Sequence, residues 1–184
     1  MKKHSWSSLE FITLGRSFKG ICFESVWFFL SSLKIGKNHY TRARLVARGY
    51  EEKDEVPSDS PTMDQKNVKL IRAIAQSQGW QVSSGDVKAA FLQGLPLTER
   101  TVTVVSPPEA NVPRGYLWQL VVALYGLFDA SLRFHWKVKE VMETLGMKQS
   151  RYDPALFMRH DEDGKLLGLI GTHVDDFAIP GSDS

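Results

Sequence analysis

Residues 166–178 read LLGLIGTHVDDFA, an apolar run interrupted by two adjacent aspartates. On a regular strand neighbouring side chains point to opposite faces, so Asp175 and Asp176 cannot both address one ligand from an undistorted strand. The pair therefore predicts a sharp bend that presents carboxylates at a strand end. The preceding sequence agrees, because residues 155–160 and 165–174 flank Asp161-Glu162-Asp163-Gly164, a hairpin signal. A chain carrying this segment is constrained to build antiparallel strands with acidic groups at one end. Carboxylate oxygens so placed hold hard cations such as Mg²⁺. Two such cations can clamp the attacking and leaving oxygens of a phosphoryl transfer.

The 184 residues suffice for one domain with its own core. Hydrophobic residues at 42% and charged residues at 24% exclude a disordered chain. A net charge of +2 does not demand a nucleic-acid partner, although a local basic patch is compatible with it. The single cysteine, Cys22, rules out an intrachain disulfide framework and fits a reducing interior. The greasiest stretch, Ile21 to Leu33, is too short to span a bilayer and contains Glu24. The basic start MKKHSWSSLEF is followed by Glu10, Arg16 and Lys19, which interrupt any signal-like apolar segment. The expectation is an intracellular chain, in cytoplasm or nucleus, neither secreted nor membrane-bound.

Residues 1–38 are aromatic- and Ser-rich, show no clear period and are left unassigned. A basic strand-like segment, residues 40–50, opens the second zone, residues 39–64, and an acidic loop with Pro57 and Pro61 follows. Asp64 is placed to cap a helix running to Gln78, with Val68, Ile71, Ile74 and Ala75 on one face and Gly79 as the stop. Residues 80–84 read as a strand ending at Asp86, and Ala89 to Leu92 as a short apolar turn or helix. The β-branched run TVTVV, residues 101–105, predicts a strand ended by Pro107 and Pro108. Residues 117–124 read as extended. Leu132, Val138, Val141, Met142 and Leu145 mark a helical face before Gly146. Strands and helices mix without strict alternation, which predicts an α+β domain: an antiparallel sheet with helices on one face.

Asp86 follows a strand, and with Asp175 and Asp176 it can complete a three-carboxylate, polymerase-type site. Close carboxylates repel, so such a cluster needs a cation or a shared proton. The plainer alternative is a helix cap at Asp86 and a solvated turn at the pair. Asp161 to Gly164 lacks the later bidentate Glu of a calcium loop and reads as a turn. His4, His39, His135, His160 and His173 show no paired metal-ligand spacing and are read as structural or solvent-facing. Cys22 reads as a packed thiol. Alternation places Arg42, Arg44 and Arg48 on one strand face, opposite Leu45 and Ala47. That comb suits a triphosphate or nucleic-acid backbone, and equally suits a solvated edge strand kept soluble by charge.

Six blocks, taken in order, carry a resemblance: ARLVARGYEEK (43–53), the SPT block with its helix and Gly-Trp (60–80), GDVKAAFLQG (85–94), LYGLFDAS (124–131), YDPALF (152–157) and HVDDF (173–177). From residue 40 to 181 the chain resembles the reverse transcriptase of Ty1/copia-type retrotransposons. The resemblance implies a right-hand polymerase, with partial fingers and a palm in residues 39–184, stopping before the thumb and without RNase H sequence. It implies RNA-directed DNA synthesis from deoxynucleoside triphosphates on a primed RNA or DNA template. The cofactor would be two Mg²⁺ ions, with Mn²⁺ as a substitute.

Residue by residue, Asp86 and Asp175 would be the main metal ligands, supported by Asp176. Phe91 would screen the sugar 2′ position, with the backbone of Val87 to Ala90 near the triphosphate. Arg44 and Arg42 would grip phosphates, and Gly126 and Asp129 would line the template and nucleotide pocket. Three departures stand out. His173 replaces the commoner Tyr, Gly85 replaces a bulkier apolar residue, and Leu132-Arg133-Phe134 replace the Arg and Trp that usually follow Asp-Ala-Ser. They leave a second reading, a non-catalytic remnant of such an element that at most binds nucleic acid.

Overall fold

The computed structural model describes residues 12–16, 21–23, 26–35, 38–52, 55–106 and 108–181, with side chains from residue 44 onward except that of Glu109. Residues 1–11, on which the reading of the basic start turns, and the side chains of Cys22, His39 and Arg42 lie outside the described residues. The strands are β1 (Ile12–Arg16), β2 (Ile21–Phe23), β3 (Val26–Ile35), β4 (Asn38–Ala47), β5 (Gln81–Asp86), β6 (Val102–Val104), β7 (Tyr116–Leu120), β8 (Lys148–Gln149), β9 (Leu156–His160), β10 (Leu166–His173) and β11 (Asp176–Gly181). Helix α1 (Gln65–Gln78) precedes β5, and helix α2 (Ala130–Thr144) follows β7. The α+β class is as expected. The chain divides into two compact units, residues 1–58 with 91–133 and residues 59–90 with 134–184.

The first unit holds a four-stranded sheet, β1-β7-β6-β2, antiparallel except for the parallel β2–β6 pair. The β-branched run forms its inner strand β6, where Val102, Thr103 and Val104 are all fully buried. A strand covered on both faces favours β-branched residues with little polar surface, and Val102, Thr103 and Val104 supply them. Trp118 and Leu120 of β7 pack beside it with Leu124 and Leu127. β3 and β4 pair as a ten-residue antiparallel hairpin. Residues 1–38, unassigned from sequence, thus contribute β1, β2 and β3. Extended structure after Trp118 ends at Leu120, earlier than the expected Leu124.

The second unit is a five-stranded antiparallel sheet, β5-β11-β10-β9-β8. Helix α1 forms where expected. Asp64 accepts a hydrogen bond from the Lys66 backbone N–H at 2.7 Å, and Gly79 ends the helix at φ 68°. Its Ile71 and Ala75 are buried, Ile71 packing with Met63, Leu156 and Leu169. Gly171 lets this packing close, since a Cβ there would run into the Met63 sulfur and the Ile71 side chain. The Asp161 to Gly164 segment is the turn between β9 and β10, with the Lys165 N–H donating to the Asp161 carboxylate at 2.8 Å.

Two expectations are corrected. α1 covers the sheet face bearing Leu156, Met158 and Leu169. Phe157 lies between Leu156 and Met158 and so faces the other way, where it stands by His135 of α2 with ring centres 6.4 Å apart. The helices therefore flank both faces. The buried side of α2 also differs from the apolar stripe in its sequence: Val141 and Leu145 are exposed, whereas Arg133, Phe134 and His135 are buried beside Leu132, Val138 and Met142. Among the described residues, no helix is long and apolar enough to cross a membrane.

Candidate active site

β10 and β11 form a hairpin whose last pair is His173 opposite Asp176, leaving Val174 and Asp175 as the turn. The bend read from the paired aspartates is this turn. Val174 adopts φ 58°, a left-handed conformation that a β-branched side chain resists, so the turn stores strain. On its other edge β11 pairs with β5, and the register sets Asp176 directly opposite Asp86. Asp175 is tied to the same place by its carbonyl, which accepts from the Val87 N–H at 3.1 Å. All three aspartates thus meet at one end of one sheet. Asp86 and Asp176 are exposed and Asp175 is half-buried. None of the three enters a salt bridge among the described residues. Like charges directly across an antiparallel pair repel, and hard oxygen donors so placed suit a divalent cation. The fit is that of a carboxylate pair: among the described residues, no group of three or more His, Cys, Asp or Glu side chains is arranged to hold a metal ion. Gly85 stands opposite Phe177, and a Cβ there would come no closer than 4.0 Å to any neighbour.

The other singled-out residues belong to the first unit. Arg44 extends exposed from β4, and its guanidinium lies 5.3 Å from the ring centre of Tyr125. Phe91, in the 3-10 turn Ala90–Gln93, also meets Tyr125, its ring 4.8 Å from that of Tyr125 at 46°. Two glycines place Tyr125 here. Gly126 has φ 94°, and a Cβ on it would strike the Ala47 carbonyl and approach the Val46 side chain to 2.9 Å. A Cβ on Gly49 would strike the Gly126 carbonyl. The backbones therefore touch, and the Ala47 N–H donates to the Tyr125 carbonyl at 2.7 Å. Arg48 does not extend the basic comb, because it follows the end of β4 and pairs with Glu51 at 3.1 Å.

The family model for reverse transcriptase (RNA-dependent DNA polymerase) matches residues 9–184. The chain belongs to the reverse transcriptase family. The copia-type resemblance carried by the six blocks is borne out by two relatives from Arabidopsis thaliana. The retrovirus-related Pol polyprotein from transposon RE1 is 31% identical over 150 residues, covering 79% of this chain and 10% of the relative. That from transposon RE2 is 30% identical over 151 residues, covering 80% and 10%. The chain spans about a tenth of the length of these curated relatives. The family match also takes in most of residues 1–38, where the sequence alone offered no motif.

Within this reverse transcriptase chain, Asp129 is a buried carboxylate shared by two arginines. It is 4% exposed, and its two oxygens take Arg100 at 2.7 Å and Arg133 at 2.6 Å. Arg133 also donates to the Pro96 carbonyl and to Glu99, each at 2.7 Å. Arg100 reaches the buried Glu52 as well. Burial pushes the Arg100 guanidinium down from its ordinary value, with Asp129 opposing. Burial works against Arg133 too, but its bonds to Asp129 and Glu99 prevail and raise it. The bond from Arg133 lowers the Glu99 carboxyl to about 2. Arg133 is one of the residues that depart from the family pattern, and the structure gives it this anchoring task. The signal for it was the i, i+4 spacing of Asp129 and Arg133. Tyr125 was also missed, although it lies inside a recognised block. Its partners Arg44 and Phe91 are distant in sequence. The YDPALF block is explained locally: Asp153 accepts from the Asp64 and Ala155 N–H groups and from Asn67, which ties the β9 entry to the start of α1.

Proposed function

We propose that this chain is the fingers and palm portion of a copia-type RNA-directed DNA polymerase. The second unit serves as palm and the first as fingers, within the residue 39–184 region read from the motifs. The observation that carries the reading is the register of Asp86 against Asp176, with Asp175 in the adjoining turn. Carboxylates held opposite one another by a backbone ladder are preorganised to hold divalent metal. Asp86 and Asp175 would be the main ligands of such a cation, supported by Asp176. Two Mg²⁺ ions, when bound, would lower the pKa of a primer 3′-hydroxyl and neutralise charge on the incoming triphosphate.

The protein's own part is to orient and to select. Arg44, and Arg42 beside it in sequence, would hold phosphate oxygens. Phe91 would screen the sugar 2′ position. The Val87 backbone, fixed by its bond to Asp175, would line the triphosphate path. Gly126 keeps the pocket backbone close, and Asp129 acts through the arginines it positions. The partners would be a primed RNA or DNA template and deoxynucleoside triphosphates. Primer extension on an RNA template with Mg²⁺ tests this: wild-type extension that disappears in Asp86→Asn and Asp175→Asn supports it. Absence of extension together with absence of Mg²⁺ binding overturns it. The second reading is a non-catalytic remnant of such an element that at most binds nucleic acid. RNA binding that is indifferent to both aspartates would support that one.

A further inference from the structure

Arg44, Tyr125 and Phe91 form one continuous stack inside the first unit. The guanidinium lies 5.3 Å from the Tyr125 ring centre, and the Phe91 ring lies 4.8 Å from it at 46°. Among the described residues Arg44 has no carboxylate partner. Its charge is steered by a ring and left unneutralised, which is the state an anion-binding cation requires. Tyr125 itself is held firmly. Its carbonyl accepts from the Ala47 N–H, it bridges Val46, and Gly49 and Gly126 permit the close backbone approach around it. Phe91 sits half-buried in a four-residue 3-10 turn, packed against the first unit's core, and Tyr125 is its aromatic partner. Tyr125 is the member in contact with both of the others.

We propose that Tyr125 is a positioning residue for nucleotide selection: it sets the Phe91 ring, and through it the discrimination between deoxyribose and ribose triphosphates, while aiming Arg44 at the phosphates. This rests on the polymerase reading above. It goes beyond it by giving sugar selection to a residue that need not touch the sugar. The ring does the positioning, so the phenolic hydroxyl is dispensable. Tyr125 acts through Phe91, so their effects on discrimination do not add.

The test is equilibrium binding of dATP and ATP to the whole chain in Mg²⁺, read by dialysis with labelled nucleotide, with circular dichroism as the folding control. Wild type prefers dATP. Tyr125→Ala and Tyr125→Leu reduce that preference by about tenfold, the scale of a mis-shaped apolar contact. Tyr125→Phe retains it. Phe91→Ala abolishes it, and adding Tyr125→Leu changes it no further. Arg44→Gln weakens both nucleotides alike and keeps the ratio. Wild-type preference in folded Tyr125→Leu, or loss in Tyr125→Phe equal to that in Tyr125→Leu, overturns the proposal while the polymerase reading stands. A wild-type chain that binds neither nucleotide overturns the polymerase reading and this proposal with it.

Discussion

Asp129 in the first unit and Asp176 in the second carry the same side chain in opposite settings. Asp129 is buried with each oxygen bonded to an arginine. Asp176 is exposed and faces another carboxylate across a strand pair, with no salt bridge among the described residues. The first arrangement is committed to the fold, each oxygen holding a buried guanidinium. The second carries a repulsion that the fold leaves in place, which a bound cation would relieve. A carboxylate's availability is thus set by what stands opposite it. Residue type says nothing of it.

Substitutions can break or sharpen this contrast. The largest effect is expected for Asp129→Ala, which takes a carboxylate partner from each of two buried guanidinium groups. Unfolding free energy should fall by about 3–5 kcal/mol in urea titrations. A loss below ~1 kcal/mol would show the network to be dispensable. Gly126→Ala forces a Cβ into the Ala47 backbone at a left-handed φ. A loss of about 2 kcal/mol or more by the same titration is expected. Gly85→Ala works the other way at the carboxylate end. With room for the Cβ and ordinary strand geometry, it should gain roughly 0.5–1 kcal/mol. A loss of stability instead would show that the carboxylate end tolerates no added bulk on β5.

A smaller effect is expected from Glu99, whose side chain is 66% exposed, so that water screens its pair with Arg133. Its carboxyl lies at about 2, lowered from 4.5. The stability it contributes is therefore complete above about pH 4.5 and is lost as pH falls toward 2. Thermal melts across that window should fall less steeply in Glu99→Gln than in wild type. The smallest effect on stability belongs to Asp175→Asn, within about 0.5 kcal/mol of wild type, since no salt bridge is removed. Its Mg²⁺ binding, followed by calorimetry, should nonetheless disappear. An Asp175→Asn chain that unfolds would erase the difference between the two regions.

Local signals were legible where the physics is local. Asp64 and Gly79 bracket α1 because a cap and a left-handed stop act within a few residues. The Asp161 to Gly164 turn and the β6 run were legible for the same reason. The α2 face was misread. Its apolar stripe includes Val141 and Leu145, yet the buried side takes Arg133 and His135, because partners elsewhere accept them. Arg133 finds Asp129, Glu99 and the Pro96 carbonyl. His135 lies beside Gln149 at 3.3 Å, and burial, with Lys139 adding to it, pushes its pKa down. No hydropathy pattern announces such partners.

The sequence by itself determined the hairpin that ends in two aspartates, the helix before Asp86 and the family to which the chain belongs. Spacing, caps and motif order are properties of the chain read along its length. Tertiary structure alone decided that Asp176 stands opposite Asp86, that Asp129 pairs with Arg100 and Arg133, and that Tyr125 meets both Arg44 and Phe91. Those pairings depend on strand register and on backbones close enough to require glycine at 49 and 126. Register and close approach arise only once distant segments pack, so neither leaves a mark that can be read from neighbouring residues.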